Sequence, residues 1–324
     1  MNQLEGSNIK RFMGLSVERT ESNEMGAELA RTNRARVLGF ALVSVLPAAL
    51  IWLSIRSLAA ITLRSDTYSH IPLIPVVSFY LIYSERERVF SQSSSGWKIG
   101  SLFLLGGGVS FVFGQLNLWA TAPENALSCK ALGIALAWAG AFAFFFGSKA
   151  LRAASFPFLF LLFMIPLPEP LLSRTILLLQ KGSAAVAALF FNIFGVPVLR
   201  QGFDFALPGV VIRVAEECSG IRSTLALVIT AVLAGHLFLR NFWNKMLLCL
   251  LVFPLTIFKN GLRIATLSTL AVYVDAGFLH GRLHRYGGIV FFAAGLVPLA
   301  LFLLLFQKNE NAKQSSTNLS ATRT

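Results

Sequence analysis

The stretch "VAEECSGIRSTLALVI" (residues 214–229) places two glutamates, a cysteine and an arginine directly before a long apolar run. The run continues to about residue 239, which is the length that crosses a bilayer as one helix. Runs of similar length occur near 37–56, 68–84, 99–118, 130–147, 151–167, 245–263 and 287–306. This pattern predicts an all-α polytopic membrane protein with about eight transmembrane helices.

The composition also indicates a membrane protein. Of the 324 residues, 55% are hydrophobic and 13% are charged, which is too apolar and too weakly charged for a soluble domain. The net charge of +13 is distributed over the segments between apolar runs, and this argues against a nucleic-acid partner. Three cysteines (Cys129, Cys218 and Cys249) are too few and too scattered for a disulfide framework.

Lysine and arginine residues are concentrated in alternate loops, which are expected to face the cytoplasm. They are frequent before residue 37, between 85 and 98, and near Lys149, Arg240 and Lys308. We therefore expect a multipass protein of a bacterial inner membrane with both termini in the cytoplasm. The polar segments 1–36 and 307–324 are expected to be disordered ends of a single transmembrane domain that covers 37–306.

The segment "EPLLSRTILLLQKGSAAVAALFFNIFG" (169–195) is helical in pattern but contains Arg174 and Lys181. If it crossed the membrane, the side of every later loop would be inverted, so we interpret it as an interfacial or re-entrant helix on the extracytoplasmic side. Two β-like runs follow, "VLRQGFDF" and "VVIRV", on either side of a Leu-Pro-Gly turn signal at 207–209. They predict a short β-hairpin that leads to the cysteine helix.

Cys218 is expected at the start of the helix that follows this hairpin. The free amides and the dipole of a helix N-terminus stabilise a thiolate. Arg222 is four residues further on and would share a face of the helix with Cys218. Two interpretations follow, an activated nucleophile or a small buried cysteine at a helix end.

The next apolar run, "LLVFPLTIFKNGLRIATL" (250–267), contains Lys259, Asn260 and Arg263. Arg263 would lie ~27 Å along a helix that begins near Lys245, at a depth similar to that of Cys218. Charged side chains inside a membrane are costly and indicate a functional site or a water-filled cavity. The alternative is an arginine that reaches the interface from a helix end.

His280 and His284 lie in "DAGFLHGRLHRYGGIVFF" (275–292), the outer loop that enters the last apolar run. Histidine exchanges protons near neutral pH. A thiol that attacks a carbonyl needs such a base, and it needs a cation beside the developing oxyanion. Cys218, Arg263 and one of the histidines would supply this set.

Tyr68 and His70, in "SDTYSHIPLIP" (65–75), lie at the outer start of an earlier run. They are expected either to contact the substrate and shape the cavity or to anchor the chain at the interface. No cofactor is expected, because the histidines lack a carboxylate or thiolate at ligand spacing. A metal shared by His280, His284 and Asp275 is the alternative.

Taken in order, these motifs resemble the exosortase/archaeosortase family of membrane-embedded cysteine transpeptidases. "DTYSHIPLIPVVSFYLIY" is similar to the family's Tyr-Ser-His segment, and "FDFALPGVVIRVAEECSGIRS" to its hairpin and Cys-Ser-Gly-x-Arg motif. "NGLRI" and "HRYGGIVFF" are similar to its Asn-x-x-Arg and His-x-x-x-Gly segments. Two positions depart from the pattern, since Glu217 replaces a small residue and Ile71 replaces a glycine.

The resemblance implies roles for individual residues. Cys218 corresponds to the nucleophile, Arg263 to the catalytic arginine and His284 to the catalytic histidine. His284 is preferred over His280 because Gly288 and an aromatic run follow it at the family's spacing. The residues expected to bind substrate or support the site are Arg222, Asn260, Tyr68, His70 and His280.

The resemblance also implies the reaction. The substrates would be exported proteins with a C-terminal sorting signal, namely a Pro-Glu-Pro-like motif, a transmembrane helix and a basic tail. Cleavage at the outer face through a thioester would transfer them to a cell-surface acceptor of undefined chemistry, often alongside exopolysaccharide production. Besides these proteins, membrane lipid is the expected partner.

Two other classes of protein remain open. One is a multipass transporter or channel in which the arginines and histidines line an anion path without covalent chemistry. The other is a membrane acyltransferase or intramembrane protease that uses the same thiol and releases the acyl group to water.

Overall fold

The computed structural model describes residues 38–40, 42, 68–91, 96–118, 122–279 and 282–321, with only the backbone at a few positions that include Cys218 and His284. The segment 1–36, most of the first predicted run and His280 lie outside the described residues. By its contacts, the chain divides into two compact units. The first comprises 1–64 and 71–166, and the second comprises 65–70 and 167–324. The single transmembrane domain over 37–306 stays a prediction.

The described part of the first unit is helical. Its helices are α1 (Leu73–Ser84), α2 (Arg86–Phe90), α3 (Trp97–Gln115), α4 (Pro123–Phe146), α5 (Ser148–Ala153) and α6 (Ser155–Phe160), followed by a 3-10 turn (Leu161–Met164). Only α3 and α4 among these are long and apolar enough to cross a membrane. The runs predicted to span at 68–84 and 151–167 form shorter helices, because α1 begins only after Pro72 and the second run breaks at Ala154.

Helices α3 and α4 pack against each other through glycines. A Cβ atom at Gly107 of α3 would lie 2.7 Å from the carbonyl oxygen of Gly133 of α4, and one at Gly133 would lie 2.6 Å from that of Gly107. Gly100 and Gly114, one heptad to either side, have similarly close contacts. Small residues let helix backbones approach in lipid, where van der Waals packing holds helices together.

Replacing Gly107 with alanine should therefore destabilise the first unit by about 1–3 kcal/mol, because the atom in the way belongs to the backbone and cannot turn aside. Gly106→Ala is the matched control, since a Cβ atom there meets nothing within 4 Å. Thermal unfolding in detergent should give a lower Tm for Gly107→Ala and an unchanged or higher Tm for Gly106→Ala. Equal Tm values would contradict the glycine contact.

The second unit contains four long helices. They are α7 (Glu169–Ile193), α8 (Ile221–Phe238), α9 (Phe242–Tyr273) and α10 (Arg282–Ala321). Each has a stretch long and apolar enough to cross a membrane, which makes six such helices among the described residues against eight predicted runs. Helix α9 packs against the other three.

Local contacts define the directions of these helices. Gly182 of α7 lies against Ile257 of α9, and Val186 lies against Gly261, so α7 and α9 run parallel. On α8, Gly235 lies beside Lys245 near the start of α9, while Ser223 bonds to Lys259 further along, so these two helices are antiparallel. Helix α10 is also antiparallel to α9, because Gly295 lies beside Lys259 and Glu310 bonds to Asn244.

Helix α7 differs from the predicted interfacial or re-entrant helix, because it is one continuous helix of 25 residues with the composition of a span. Arg174 and Lys181 do not interrupt it. They are seven residues apart, about two helical turns, and both are on its exposed face. The segment 155–164 is short, and α7 takes its place as a candidate crossing. One candidate crossing thus replaces another, and the expected side of every later loop is unchanged.

A small antiparallel sheet lies between α7 and α8. Its strands, in spatial order, are β1 (Leu199–Gln201), β2 (Asp204–Leu207) and β3 (Val210–Arg213). The first predicted run forms two strands because Gly202, with φ +63°, makes a turn within it. Phe205 of β2 is fully buried against Phe191 near the end of α7, which fixes the sheet to that helix.

Helix α10 continues to Ala321, past the predicted start of a disordered tail at 307. The Glu310 carboxylate accepts hydrogen bonds from the backbone N–H of Arg240 (2.8 Å) and of Asn241 (3.1 Å) and from the Asn244 side chain (2.7 Å). The Arg240 guanidinium donates to the side-chain oxygen of Gln314. These bonds tie polar residues of α10 to the turn between α8 and α9, and they account for the longer helix.

Candidate active site

Cys218 lies in a 3-10 turn, Glu216–Ser219, which leads into α8 and packs against α7. We call Glu216–Ser219 the cysteine turn. Gly220 follows as the N-cap of α8 in the left-handed conformation, with φ 80° and ψ 14°. Cys218 is therefore two residues before the N-cap of a membrane helix, and the first free amides of that helix follow it.

Arg222 does not have the predicted relation to Cys218. Residues four apart share a face only within a continuous helix. The left-handed Gly220 stands between the cysteine turn and α8, so the helical spacing does not carry across it. The Arg222 side chain is exposed in the first turn of α8.

Asn260 of α9 supports the start of α8. Its side chain is 1% exposed, and its Nδ2 donates a hydrogen bond to Ser183 Oγ of α7 at 3.1 Å. A Cβ atom at Gly220 would lie 3.2 Å from Asn260 Cγ and 3.3 Å from its Oδ1. The hydrogen-bonded pair of Asn260 and Ser183 thus links α9 to α7, and Gly220 packs against Asn260.

Gln180 of α7 holds the chain on the other side of the cysteine turn. Its buried Nε2 donates to the carbonyl oxygen of Val214, which is four residues before Cys218. No motif in the sequence singles out Gln180 or Ser183. The available signal is polarity, because a polar side chain buried in a membrane helix needs a partner.

Lys259 of α9 is connected to the same helix start. Its side chain is 6% exposed, and its Nζ lies 2.6 Å from Ser223 Oγ. Ser223 Oγ in turn donates to the carbonyl oxygen of Gly220 at 2.9 Å. Thr224 Oγ1 donates to the same carbonyl at 2.9 Å, so two side chains of α8 fix the N-cap.

Arg263 lies one turn beyond Lys259 on α9 and is half-buried. The two side chains share a face of the helix, and the charge of Arg263 acts on Lys259. Since α8 and α9 are antiparallel, with Ser223 beside Lys259 and Gly220 beside Asn260, the next turn of α9 lies at the level of the residues before Gly220. The structure thus places Arg263 at the level of the cysteine turn.

His284 is in the first turn of α10. Gly295 of the same helix lies beside Lys259. His284 is eleven residues before Gly295, so its backbone lies ~16 Å further along the helix axis, and ~10 Å beyond the level of Arg263. The first turn of α10 and the cysteine turn are therefore at the same end of the four-helix unit.

Residues 68–70 belong to the second unit by their contacts, whereas the chain that follows them belongs to the first. Tyr68 is buried, Ser69 is exposed and His70 is half-buried. The Tyr-Ser-His motif is thus part of the same compact unit as Cys218 and Arg263, although it is far from them in the sequence.

A comparison with known families identifies the family. The model of the transmembrane exosortase family matches residues 52–301 of the chain. The chain belongs to the transmembrane exosortase family. Exosortases are in general membrane cysteine transpeptidases. The matched range contains all the candidate site residues of this exosortase, and the resemblance inferred from its motifs is confirmed. No curated protein and no solved structure matches the chain.

The metal alternative involves residues that are only partly described in this exosortase. Asp275 has a described side chain, and its Oδ1 accepts a hydrogen bond from the backbone N–H of Gly277 at 2.6 Å. Among the side chains that the structure describes, no group of three or more histidine, cysteine and acidic residues could hold a metal ion.

Proposed function

We propose that this exosortase is a sortase-like cysteine transpeptidase that cleaves the C-terminal sorting signals of exported proteins at the outer face of a bacterial inner membrane. The observation that carries the proposal is the arrangement around Cys218. Gln180 bonds to the backbone before this residue and Asn260 packs against Gly220 after it. The N-terminus of α8 follows Cys218, and Arg263 is one turn past Lys259, toward the level of the cysteine turn.

The reaction is the one that the family resemblance implies for Cys218, Arg263 and His284. The Cys218 sulfur attacks the scissile carbonyl, and His284 accepts the thiol proton. Arg263 and the positive end of the α8 dipole stabilise the negative charge on the carbonyl oxygen. The C–N bond then breaks, His284 protonates the leaving amine, and the acyl group remains on sulfur as a thioester. An amine or hydroxyl of the cell-surface acceptor attacks the thioester and restores the thiol.

The distribution of basic residues supports an extracytoplasmic site. Arg240, Lys245 and Lys308 lie at the end of the second unit opposite the cysteine turn, where the α8–α9 turn meets α10. Basic residues near the ends of membrane helices favour the cytoplasmic side. The end that carries Cys218 then faces outward, where an exported substrate arrives with its own membrane helix in the bilayer.

The hydrogen bonds favour this function over a transporter or channel. Three buried polar side chains near the cysteine turn have partners within the protein. Gln180 bonds to the backbone of Val214, Asn260 bonds to Ser183, and Lys259 bonds to Ser223. An anion path would need such groups to face an open route through the protein. Here they hold one short segment in place.

A covalent intermediate tests the proposal. The enzyme is co-expressed with an exported reporter that ends in a Pro-Glu-Pro-like motif, a membrane helix and a basic tail, and both are analysed by intact mass. We expect a shortened reporter and a fraction of enzyme that carries the reporter's acyl part. Hydroxylamine, which cleaves thioesters, should restore the mass of the enzyme.

The mass of the released reporter distinguishes the possible products. A mass above that of the free acid identifies transfer to an acceptor, whereas the free acid itself indicates hydrolysis by a protease. A reporter whose motif is replaced by alanines is the matched control and should stay intact. If the wild-type enzyme leaves the unmodified reporter intact, the proposed function is contradicted.

A further inference from the structure

Lys259 has no part in the mechanism above, although its position is unusual. Its side chain runs between α8, α9 and α10, and it passes α10 at Gly295, where a Cβ atom would lie 3.3 Å from Lys259 Cδ. The ammonium ends within the unit, bonded to Ser223. Removing an ammonium from water costs several kcal/mol, so a buried lysine in a membrane helix indicates a role.

The directions of the hydrogen bonds indicate what Lys259 does to the backbone. An ammonium has only donors, so Lys259 Nζ donates to Ser223 Oγ. The single hydroxyl proton of Ser223 is then directed to the carbonyl oxygen of Gly220. Donors in series polarise one another. Lys259 therefore acts through Ser223 on the peptide carbonyl that is two residues after Cys218.

Helices α8 and α9 contain no acidic residue, and the charged side chains that they contribute near this point are basic. Arg263 faces Lys259 from its own helix, and α8 contributes Arg222 with an exposed side chain. The described contacts from the other two helices are uncharged. Gly295 of α10 lies beside Lys259, and Ser183 of α7 bonds to the neighbouring Asn260.

Two acids, Glu216 and Glu217, precede Cys218 in the cysteine turn, and the side chain of Glu216 is exposed. The acid Glu310 lies at the opposite end, fifteen residues along α10 from Gly295. Among the described side chains, the buried charge nearest the start of α8 is that of Lys259, with Arg263 one turn further along α9, and both favour an anion there.

We propose that Lys259 is a positioning residue, which holds the first turn of α8 through Ser223 and supplies positive charge that favours the thiolate of Cys218 and the oxyanion formed from it. This inference rests on the proposed function, because it assumes that Cys218 is the nucleophile. It assigns Lys259 no contact with the substrate.

The test measures the reactivity of Cys218 as a function of pH. Cys129 and Cys249, the other two of the three cysteines, are replaced by alanine so that alkylation by iodoacetamide reports on Cys218 alone. In Lys259→Met the alkylation rate at pH 7 should fall about tenfold, with the midpoint of the profile about one pH unit higher. Lys259→Arg keeps the charge and should recover most of the rate.

Ser223→Ala provides a second, independent measurement. It removes the link between Lys259 and Gly220 but leaves the charge and the Thr224 bond, so the rate at pH 7 should fall by a smaller factor. In the double variant with Lys259→Met, the loss of rate should be smaller than the product of the two separate losses, because both substitutions remove the same hydrogen bond. If Lys259→Met does not fold, Ser223→Ala decides, and an unchanged profile there overturns the inference.

A merely structural lysine gives a different result. Lys259→Met would then lower the Tm in detergent and leave the midpoint of the alkylation profile unchanged, which overturns the inference. The alkylation assay needs no substrate, so its outcome is separate from that of the proposed function. If Cys218→Ala still cleaves the reporter, the proposed function fails. If the reporter assay succeeds but Lys259→Met leaves the pH profile of Cys218 alkylation unchanged, only the proposed role of Lys259 is contradicted.

Discussion

Replacing Cys218 with alanine is expected to abolish cleavage of the sorting-signal reporter, with a loss on the order of 10³-fold or more in rate. The variant retains the α8 dipole and Arg263, but no atom remains that can form the acyl-enzyme. The rate is measured as the appearance of shortened reporter by intact mass. The hydroxylamine-sensitive adduct on the enzyme should disappear with it.

Cys249→Ala is the matched control for this experiment. Cys249 is also a thiol of the second unit, but it packs beside a hydrophobic cluster of α8, α9 and α10 rather than at a helix start. We expect this variant to cleave the reporter at the wild-type rate. Cleavage by Cys218→Ala at the same rate would contradict the assignment of the nucleophile. A reporter that neither the wild-type enzyme nor any variant cleaves would favour the transporter alternative.

Hydropathy predicts a helical membrane protein, but two of the eight predicted runs do not form long helices. The runs 68–84 and 151–167 are apolar, yet they contain only short helices. Arg174 and Lys181 favour an interfacial or re-entrant helix over 169–195, yet Glu169–Ile193 is one long helix. A hydropathy window counts apolar residues and does not detect where a helix breaks. It also does not detect that two cations seven apart occupy a single exposed face.

The motifs identified the family and the order of the site residues, but the supporting residues depend on tertiary contacts. Asn260 was predicted as a supporting residue because it stands in the Asn-x-x-Arg motif. Gln180 and Ser183 lie on α7, which carries no motif, and only the folded chain brings them to the cysteine turn. The spacing of Cys218 and Arg222 misled for a local reason, because it assumed helical geometry across the left-handed Gly220.

Gly220→Ala is the second substitution with a large expected effect, and we expect it to lower the cleavage rate about 100-fold. A residue with a Cβ atom is strained at φ 80°, and the added atom would lie 3.2 Å from Asn260 Cγ. Asn260 is bonded to Ser183 and cannot turn away without losing that bond. The N-cap must then move, and Cys218 moves with it relative to Arg263.

Gly209→Ala separates the strain from the displacement. Gly209 also has a positive φ, 77°, but a Cβ atom there would meet nothing within 4 Å. Its substitution should cost about 1–2 kcal/mol of stability and leave the cleavage rate close to that of the wild type. Initial rates and Tm values are compared for the two variants. A similar loss of activity in both would show that strain alone is responsible, and that the contact between Gly220 and Asn260 does not position the nucleophile.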